Sequence, residues 1–379
     1  MRSFAAEDFR REAKRRLPHF LFDYVDGGAG DESTLRGNVA DLSAIRLRQR
    51  VLRDVSELDP GTSLFGQKQR MPVVLAPIGI GGLLGRRGET QAARAAETAD
   101  VPFCLSTMSI CGLDEVKAVY PKPFWFQLYV MRDRVFMREL IARAADLGCS
   151  ALVFTVDMAV PGIRHRDYRS GLTNAPGLAG SLRRLGQALM HPGWAWDVGL
   201  HGRPHGFGNM TSVLAGKNSL SDYFAWLRQN FDASIQWDDL AEIRAMWKGP
   251  LLLKGILDPD DARRAADLGA DGVIVSNHGG RQLDGASSTA AALPAIAEAV
   301  GDRLTVMADG GVRSGTDVLR MMALGAKGVM IGRAWAYALA ADGQRGIERM
   351  LEAMETEMRV GMALTGITKV DEIGPDLIV

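Results

Sequence analysis

Neither sign of charge is in surplus: 45 Lys and Arg stand against 45 Asp and Glu over 379 residues. Neutralising nucleic acid phosphates takes a positive excess, so a nucleic-acid partner is not expected. Cysteine is scarce. Its three copies, Cys104, Cys111 and Cys149, show no paired spacing, which excludes a disulfide framework and points to buried thiols in a reducing compartment. No stretch supplies the ~20 uncharged apolar residues that span a bilayer. Residues 1–16 mix charges with short apolar stretches and lack the apolar run of a secretory signal, so a soluble or peripheral protein is expected. His201 and His205 lie close together, but no further ligand type clusters with them, and no metal site is expected.

What is present is ordinary globular composition, 47% hydrophobic and 24% charged, enough for one large barrel or two smaller domains. A punctuation mark recurs at Leu147-Gly148-Cys149-Ser150, Leu268-Gly269-Ala270-Asp271 and Leu324-Gly325-Ala326-Lys327. Each reads as a helix end, a glycine cap and then a short all-apolar strand of the kind buried on both faces. With those three, strands of that type are expected at 73–76, 103–106, 124–129, 151–156, 251–255, 272–276, 304–308 and 328–332, with helices at 89–98, 134–147, 259–268, 289–300 and 314–324. Eight strands alternating with helices predict a (β/α)8 barrel; an open doubly wound sheet is the rival. The chain reads as one unit: a helical and turn-rich segment at 1–70 packed on one end of the barrel, the barrel at 71–355 and a C-terminal segment at 356–379. A long excursion at 158–250 interrupts it between the fourth and fifth strands.

In such barrels chemistry sits where strands finish. Here the strands end on Ser106, Gln127 and Tyr129, Thr155 and Asp157, Lys254, Ser276 and His278, Asp309, and Gly332-Arg333. Asp309-Gly310-Gly311-Val312-Arg313 and Gly332-Arg333 follow the last two strands and precede helices, an arrangement that cradles a phosphate with backbone N–H groups and a forked arginine. Lys254 interrupts an apolar strand and requires an anion or the loss of its proton; it could be a Schiff-base nucleophile, a fixed charge or a lysine reaching for solvent. His278, with glycines beside it and Arg281 nearby, is a candidate general base, and a structural histidine is the alternative. The stretch Gly79-Ile80-Gly81-Gly82-Leu83-Leu84-Gly85 imitates a dinucleotide loop but lacks its spacing.

The run Ser276-Asn277-His278-Gly279-Gly280-Arg281-Gln282-Leu283-Asp284 resembles the signature of the FMN-dependent 2-hydroxy acid oxidising family. The resemblance extends from Phe20-Leu21-Phe22-Asp23-Tyr24-Val25-Asp26-Gly27-Gly28 to the final helices. Trp125-Phe126-Gln127-Leu128-Tyr129, the tryptophan-bearing run at 191–199 and Lys254-Gly255-Ile256-Leu257-Asp258-Pro259 are most similar to the bacterial quinone-linked members that act on L-lactate. The resemblance implies that His278 takes the substrate hydroxyl proton, that Asp157 stabilises its imidazolium, and that Arg281 and Arg164 clamp the substrate carboxylate. Tyr24 and Tyr129 would add hydroxyl donors. FMN would rest on Ser106, Gln127, Thr155, Lys254 and Ser276, its phosphate on Asp309, Gly310, Gly311, Arg313, Gly332 and Arg333.

It also implies a quinone acceptor, a homotetramer, and a peripheral place on the cytoplasmic face of the inner membrane. Gly79 resembles the membrane dehydrogenases of the family, where soluble oxidases usually carry alanine. Residues 171–217 mix arginines, tryptophans and scattered apolar side chains that suit a membrane interface, with an active-site lid as the other reading. Met108, where the family varies the residue facing the substrate side chain, leaves room for a mandelate-like acid. A hydrogen-peroxide-forming oxidase is the alternative activity.

Overall fold

The computed structural model describes residues 3–172, 177–211, 213–214, 226 and 229–379. Eight parallel strands form one sheet, which runs across Val73–Leu75, Gly328–Ile331, Thr305–Ala308, Gly272–Val275, Leu251–Ile256, Ala151–Thr155, Trp125–Tyr129 and Cys104–Ser106. A bridge between Leu75 and Phe103 brings the two edges together, with the Leu75 N–H donating to Pro102 at 2.9 Å. The expected (β/α)8 barrel is therefore what forms, each strand within a residue or two of its expected place.

Strand parity explains both the core and the site. Val74, Cys104, Trp125, Val153, Leu252, Ile274, Met307 and Met330 pack together inside the barrel, while their neighbours Val73, Leu105, Phe126, Leu152, Leu253, Val273, Val306 and Val329 join the larger core under the helices. Since side chains alternate along a strand, the next inward position toward the C-terminal end falls on Ser106, Gln127, Thr155, Lys254, Ser276, Asp309 and Gly332. The lower interior is apolar and the upper interior polar.

The three punctuation glycines sit where helices end, with φ of 75° at Gly148, 84° at Gly269 and 111° at Gly325, a region glycine enters without penalty. Helix starts are capped as their sequences suggest: Asp258 accepts from the Asp260 N–H at 2.8 Å, Ser314 from the Asp317 N–H at 3.1 Å and Asp133 from the Phe136 N–H at 3.0 Å.

Three features differ from the sequence reading. Residues 1–70 hold not only helices but an antiparallel hairpin, β1 (Thr62–Leu64) with β2 (Gln67–Gln69), whose Leu64 and Phe65 plug the bottom of the barrel; the Phe65 ring meets Trp125 edge-on at 5.8 Å. The excursion at 158–250 contains the helix Trp237–Met246, which lies on the outer helix Arg134–Asp146 through Arg134–Asp239 at 3.0 Å and Arg138–Glu242 at 2.6 Å. That helix restores the barrel rhythm, so the true insertion is shorter. Finally, the boundary expected at 355 falls inside a helical run, Arg333–Thr365, kinked at Asp342 and Gly343. All three cysteines are buried.

Candidate active site

The polar ends of the strands open into a cavity of about 330 Å³. His278, Tyr129, Arg164, Arg281, Tyr24, Gln127, Thr155, Lys254, Asp309, Gly310, Gly311, Arg313, Gly332 and Arg333 all line it. Ser106, Asp157 and Ser276 stand one layer behind and hold the lining in place. Ser106 donates to the Gln127 amide oxygen at 3.1 Å, and the Gln127 amide donates to Thr155 at 3.0 Å. Ser276 Oγ accepts from Lys254 Nζ at 2.7 Å and from the His278 N–H at 3.1 Å.

His278 has a φ of 59°, a left-handed conformation costly for a residue with a Cβ, and Gly279 and Gly280 continue it at 64° and 73°. That turn lifts the imidazole over the mouth. Its Nδ1 lies 3.0 and 3.2 Å from the two oxygens of Asp157, which leaves Nε2 free of the carboxylate. Burial raises the Asp157 pKa, but His278 and Lys254 lower it further, and the net direction is down. Asp157 can reach this place because Gly255, with φ of 108°, has no Cβ; one would come within 2.6 Å of Asp157. Gln282 donates to the Asp157 and Val160 carbonyls at 2.7 and 3.0 Å and fastens the loop from outside. Tyr129 lies nearly parallel to the imidazole, ring centres 6.5 Å apart; burial and then Asp157 push its hydroxyl pKa up, so it stays a donor.

Two guanidinium groups flank Tyr24, Arg281 at 4.8 Å and Arg164 at 5.8 Å from the ring centre. The Tyr24 hydroxyl donates to the Gly79 carbonyl at 3.3 Å. Burial, then Arg164, hold the Arg281 pKa below the usual arginine range. Arg281 spends Nη1 on the carbonyls of Tyr24 and Gly27, at 2.6 and 2.9 Å, so it is also a structural tie. Arg333 is tied more fully: it donates to Val25 at 2.9 Å, Gly279 at 2.8 Å and Gly27 at 2.7 Å. Burial, then Arg281 and Arg313, outweigh Tyr337 and Asp26 and push its pKa down to about 9, as happens where cations crowd in a dry place.

Burial opposes the charge on Lys254, yet Asp309 and Asp157 outweigh it and raise its pKa; the ion pair with Asp309 measures 2.7 Å. Held by Asp309 and Ser276, Lys254 has the partners of an ammonium rather than of a free amine, the species a Schiff-base nucleophile needs.

Sequence reasoning missed the cavity's apolar wall of Met158, Phe207 and Phe231, and it missed Asp167. Asp167 is buried 3.1 Å from Arg164 Nε. The i,i+3 pairing of Arg164 with Asp167 on the helix His165–Ser170 was a usable signal. Phe231, edge-on to Tyr129 at 5.5 Å, comes from the far end of the insertion and gave none. Among the described residues no helix is long and apolar enough to cross a membrane.

The chain matches the family described as FMN-dependent dehydrogenase over residues 13–379. It is 63% identical over 366 residues to an L-lactate dehydrogenase of Caulobacter sp. (strain K31), covering 97% of this chain and 96% of that one. To an L-lactate dehydrogenase of Caulobacter vibrioides (strain NA1000 / CB15N) it is 61% identical over 371 residues, 98% of this chain and 96% of the relative. Among solved structures, the monotopic membrane protein (S)-mandelate dehydrogenase superposes with a TM-score of 0.94 at 34% identity, covering 100% of both chains. A mandelate oxidase with (S)-4-hydroxymandelic acid gives 0.85 at 36% identity, over 100% of this chain and 98% of the other.

The residues present fit FMN. Among the described residues, the buried Asp309 Oδ1 has no hydrogen-bond partner, as an oxygen that accepts from a hydroxyl of the cofactor would. The N–H groups of Gly310 and Gly311 have no partner among the described residues and follow φ values of 92° and 85°. Arg313, which among the described residues spends only Nη1, on Val312 at 2.9 Å, is a freer fork than Arg333 for a phosphate.

Proposed function

Because the chain belongs to the FMN-dependent dehydrogenase family, we propose that it oxidises L-lactate to pyruvate and passes the electrons to a quinone. The observation that carries the reading is the convergence of an imidazole braced by a buried carboxylate with two guanidinium groups on one cavity.

FMN, when bound, supplies the two-electron acceptor. The residues do the rest. Arg164 and Arg281 take the substrate carboxylate as a charge-assisted fork, with the Tyr24 and Tyr129 hydroxyls beside them. His278 Nε2 takes the proton of the substrate hydroxyl, and Asp157 at Nδ1 balances the charge that then forms on the ring. Lys254, locked between Asp309 and Ser276, keeps a positive charge at the floor of the site. Gln127 and Thr155 offer amide and hydroxyl groups to the flavin, and Gly310, Gly311, Arg313, Gly332 and Arg333 surround its phosphate.

The same reading carries a homotetramer and a peripheral association with the cytoplasmic face of the inner membrane through residues 171–217. Support comes from exposed Leu185, Leu189, Met190 and Trp196 on that segment and from the monotopic relative. Parts of the segment, 173–176, 212 and 215–217, lie outside the described residues. Gly79 supports a quinone rather than oxygen as acceptor, by resemblance.

A larger substrate is the second reading, favoured by the Met108, Met158, Phe207 and Phe231 wall and by the mandelate-acting structural relatives. A panel of 2-hydroxy acids, scored by anaerobic bleaching of the bound flavin, separates the two. L-lactate should bleach fastest, and reoxidation by a quinone analogue should outrun reoxidation by oxygen. Faster bleaching by mandelate, or faster reoxidation by oxygen, overturns the corresponding half of the assignment.

A further inference from the structure

A second cavity, about 680 Å³, lies away from the first, between the insertion, the helix Gly88–Thr98, the end of the helix Ala6–Arg16 and the kink at Asp342 and Gly343. Five arginines line it: Arg15, Arg16, Arg86, Arg87 and Arg94. Among the described residues two carboxylates line it, Asp197 and Asp342. Three of the arginines have acidic partners, Arg15 with Glu12, Arg86 with Asp197 at 3.3 Å and Arg87 with Glu115. Among the described residues Arg16 donates only to the Ala341 carbonyl, and the Arg94 guanidinium has no partner. So the cavity keeps uncompensated positive charge, nearly all of it on arginine, the side chain whose fork matches phosphate oxygens.

Beside it runs an apolar ridge. Leu182, Leu185 and Leu189 recur at i, i+3 and i+7 on the helix Gly177–Leu189, 58%, 54% and 68% exposed, and Met190 and Trp196 extend the ridge at 71% and 65%. The ridge is held rigidly outward, because the opposite side of this segment is pinned. Buried Gln187 accepts from the Phe20 N–H at 2.9 Å and donates to Ser170 at 3.1 Å, and the Trp194 indole donates to Leu83 at 2.8 Å. Met190 belongs both to the ridge and to the cavity wall.

A cation-lined cavity sharing a wall with an exposed apolar ridge fits a ligand that is anionic at one end and apolar at the other. We propose that this cavity seats the phosphate of an anionic phospholipid headgroup while the ridge enters the acyl boundary. The proposal rests on the membrane reading above and adds to it a headgroup site.

The test uses the FMN-loaded full chain and sedimentation with vesicles of phosphatidylcholine alone or mixed with phosphatidylglycerol. Wild type should bind the mixed vesicles more tightly, and added salt should weaken that preference. The double variant R16Q/R94Q should lose about fivefold in affinity for mixed vesicles per charge removed, with binding to neutral vesicles and lactate-dependent dye reduction in solution unchanged. The ridge variant L185S/L189S should lose binding to both compositions, again with solution activity intact. If R16Q/R94Q keeps the wild-type preference, or wild type binds both compositions equally, the headgroup site is overturned and the membrane association stands. If wild type binds neither vesicle, both fall. A melting temperature raised by inorganic phosphate in wild type but not in R16Q/R94Q, without any vesicle preference, would reassign the cavity to free anions and overturn the lipid.

Discussion

Replacing Asp157 with Asn isolates the charge at the heart of the proposed chemistry. The amide keeps an oxygen that can accept from His278 Nδ1, and the backbone carbonyl of residue 157 still receives the Gln282 amide, so the loop and imidazole should stay in place. What disappears is the negative charge 3.0 to 3.2 Å from Nδ1. Two unit charges ~4 Å apart attract by about 4 kcal/mol at the effective dielectric of a partly buried site. Because the proposed chemistry moves the substrate proton onto His278, the attraction to Asp157 is called on when that proton arrives, so its loss falls on the rate more than on substrate binding. At about 1.4 kcal/mol per decade, D157N should slow flavin reduction on the order of 10³-fold, with FMN content unchanged and KM moved by less than the rate. Anaerobic stopped-flow bleaching with saturating L-lactate measures this. A D157N rate within tenfold of wild type, at full flavin occupancy, would show that the carboxylate does not carry the charge assigned to it.

Arg281→Lys removes a fork that also holds the Tyr24 and Gly27 carbonyls; KM for lactate should rise roughly 10- to 100-fold, and a KM within twofold of wild type contradicts the clamp. Gly79→Ala puts a Cβ 3.1 Å from the Tyr24 hydroxyl and 3.3 Å from Met108 Cβ. KM should rise several-fold with little loss of melting temperature, and unchanged kinetics would mean that the Tyr24 hydroxyl does not touch substrate. Asp26 is buried and accepts from Arg10, Arg166 at 2.7 Å and Tyr337 at 2.7 Å. Burial raises its pKa, but the bonds from Arg10, Tyr337 and Arg166 pull it well below 3.8. A carboxylate depressed in the folded state stabilises above its unfolded pKa and loses that contribution as pH falls. Asp26→Asn should therefore cost about 3–5 kcal/mol near neutrality, with the gap to wild type narrowing below pH 3.8; a gap that stays constant from neutrality to pH 3 refutes the ionic account.

Most of the barrel and its mouth were legible because period-two alternation in a strand buried on both faces leaves only the last inward position free to be polar. Lys254 after Leu252, and Asp309 after Met307, announce themselves by breaking an apolar series on the inward face. The hairpin did not: three-residue strands such as Gln67–Gln69 carry no readable alternation, and Leu64 and Phe65 owe their burial to the barrel floor. Trp237–Met246 was hidden inside an excursion read as a single loop. The role of Arg333 was half visible. Its place beside the expected phosphate cradle followed from the motif, but its bonds to the Val25 and Gly27 carbonyls depend on how the first helices fold back.

Those two bonds bear on how the catalyst is assembled in time. Arg333 grips Val25 across 308 positions and Gly27 across 306, so the proposed phosphate cradle has no finished wall until the early and late portions of the polypeptide have met. A protease that trimmed the first thirty residues would leave every barrel strand intact and still leave that wall open. Flavin retention, more than circular dichroism, is then the sensitive gauge of whether a truncated or freshly synthesised chain has finished folding.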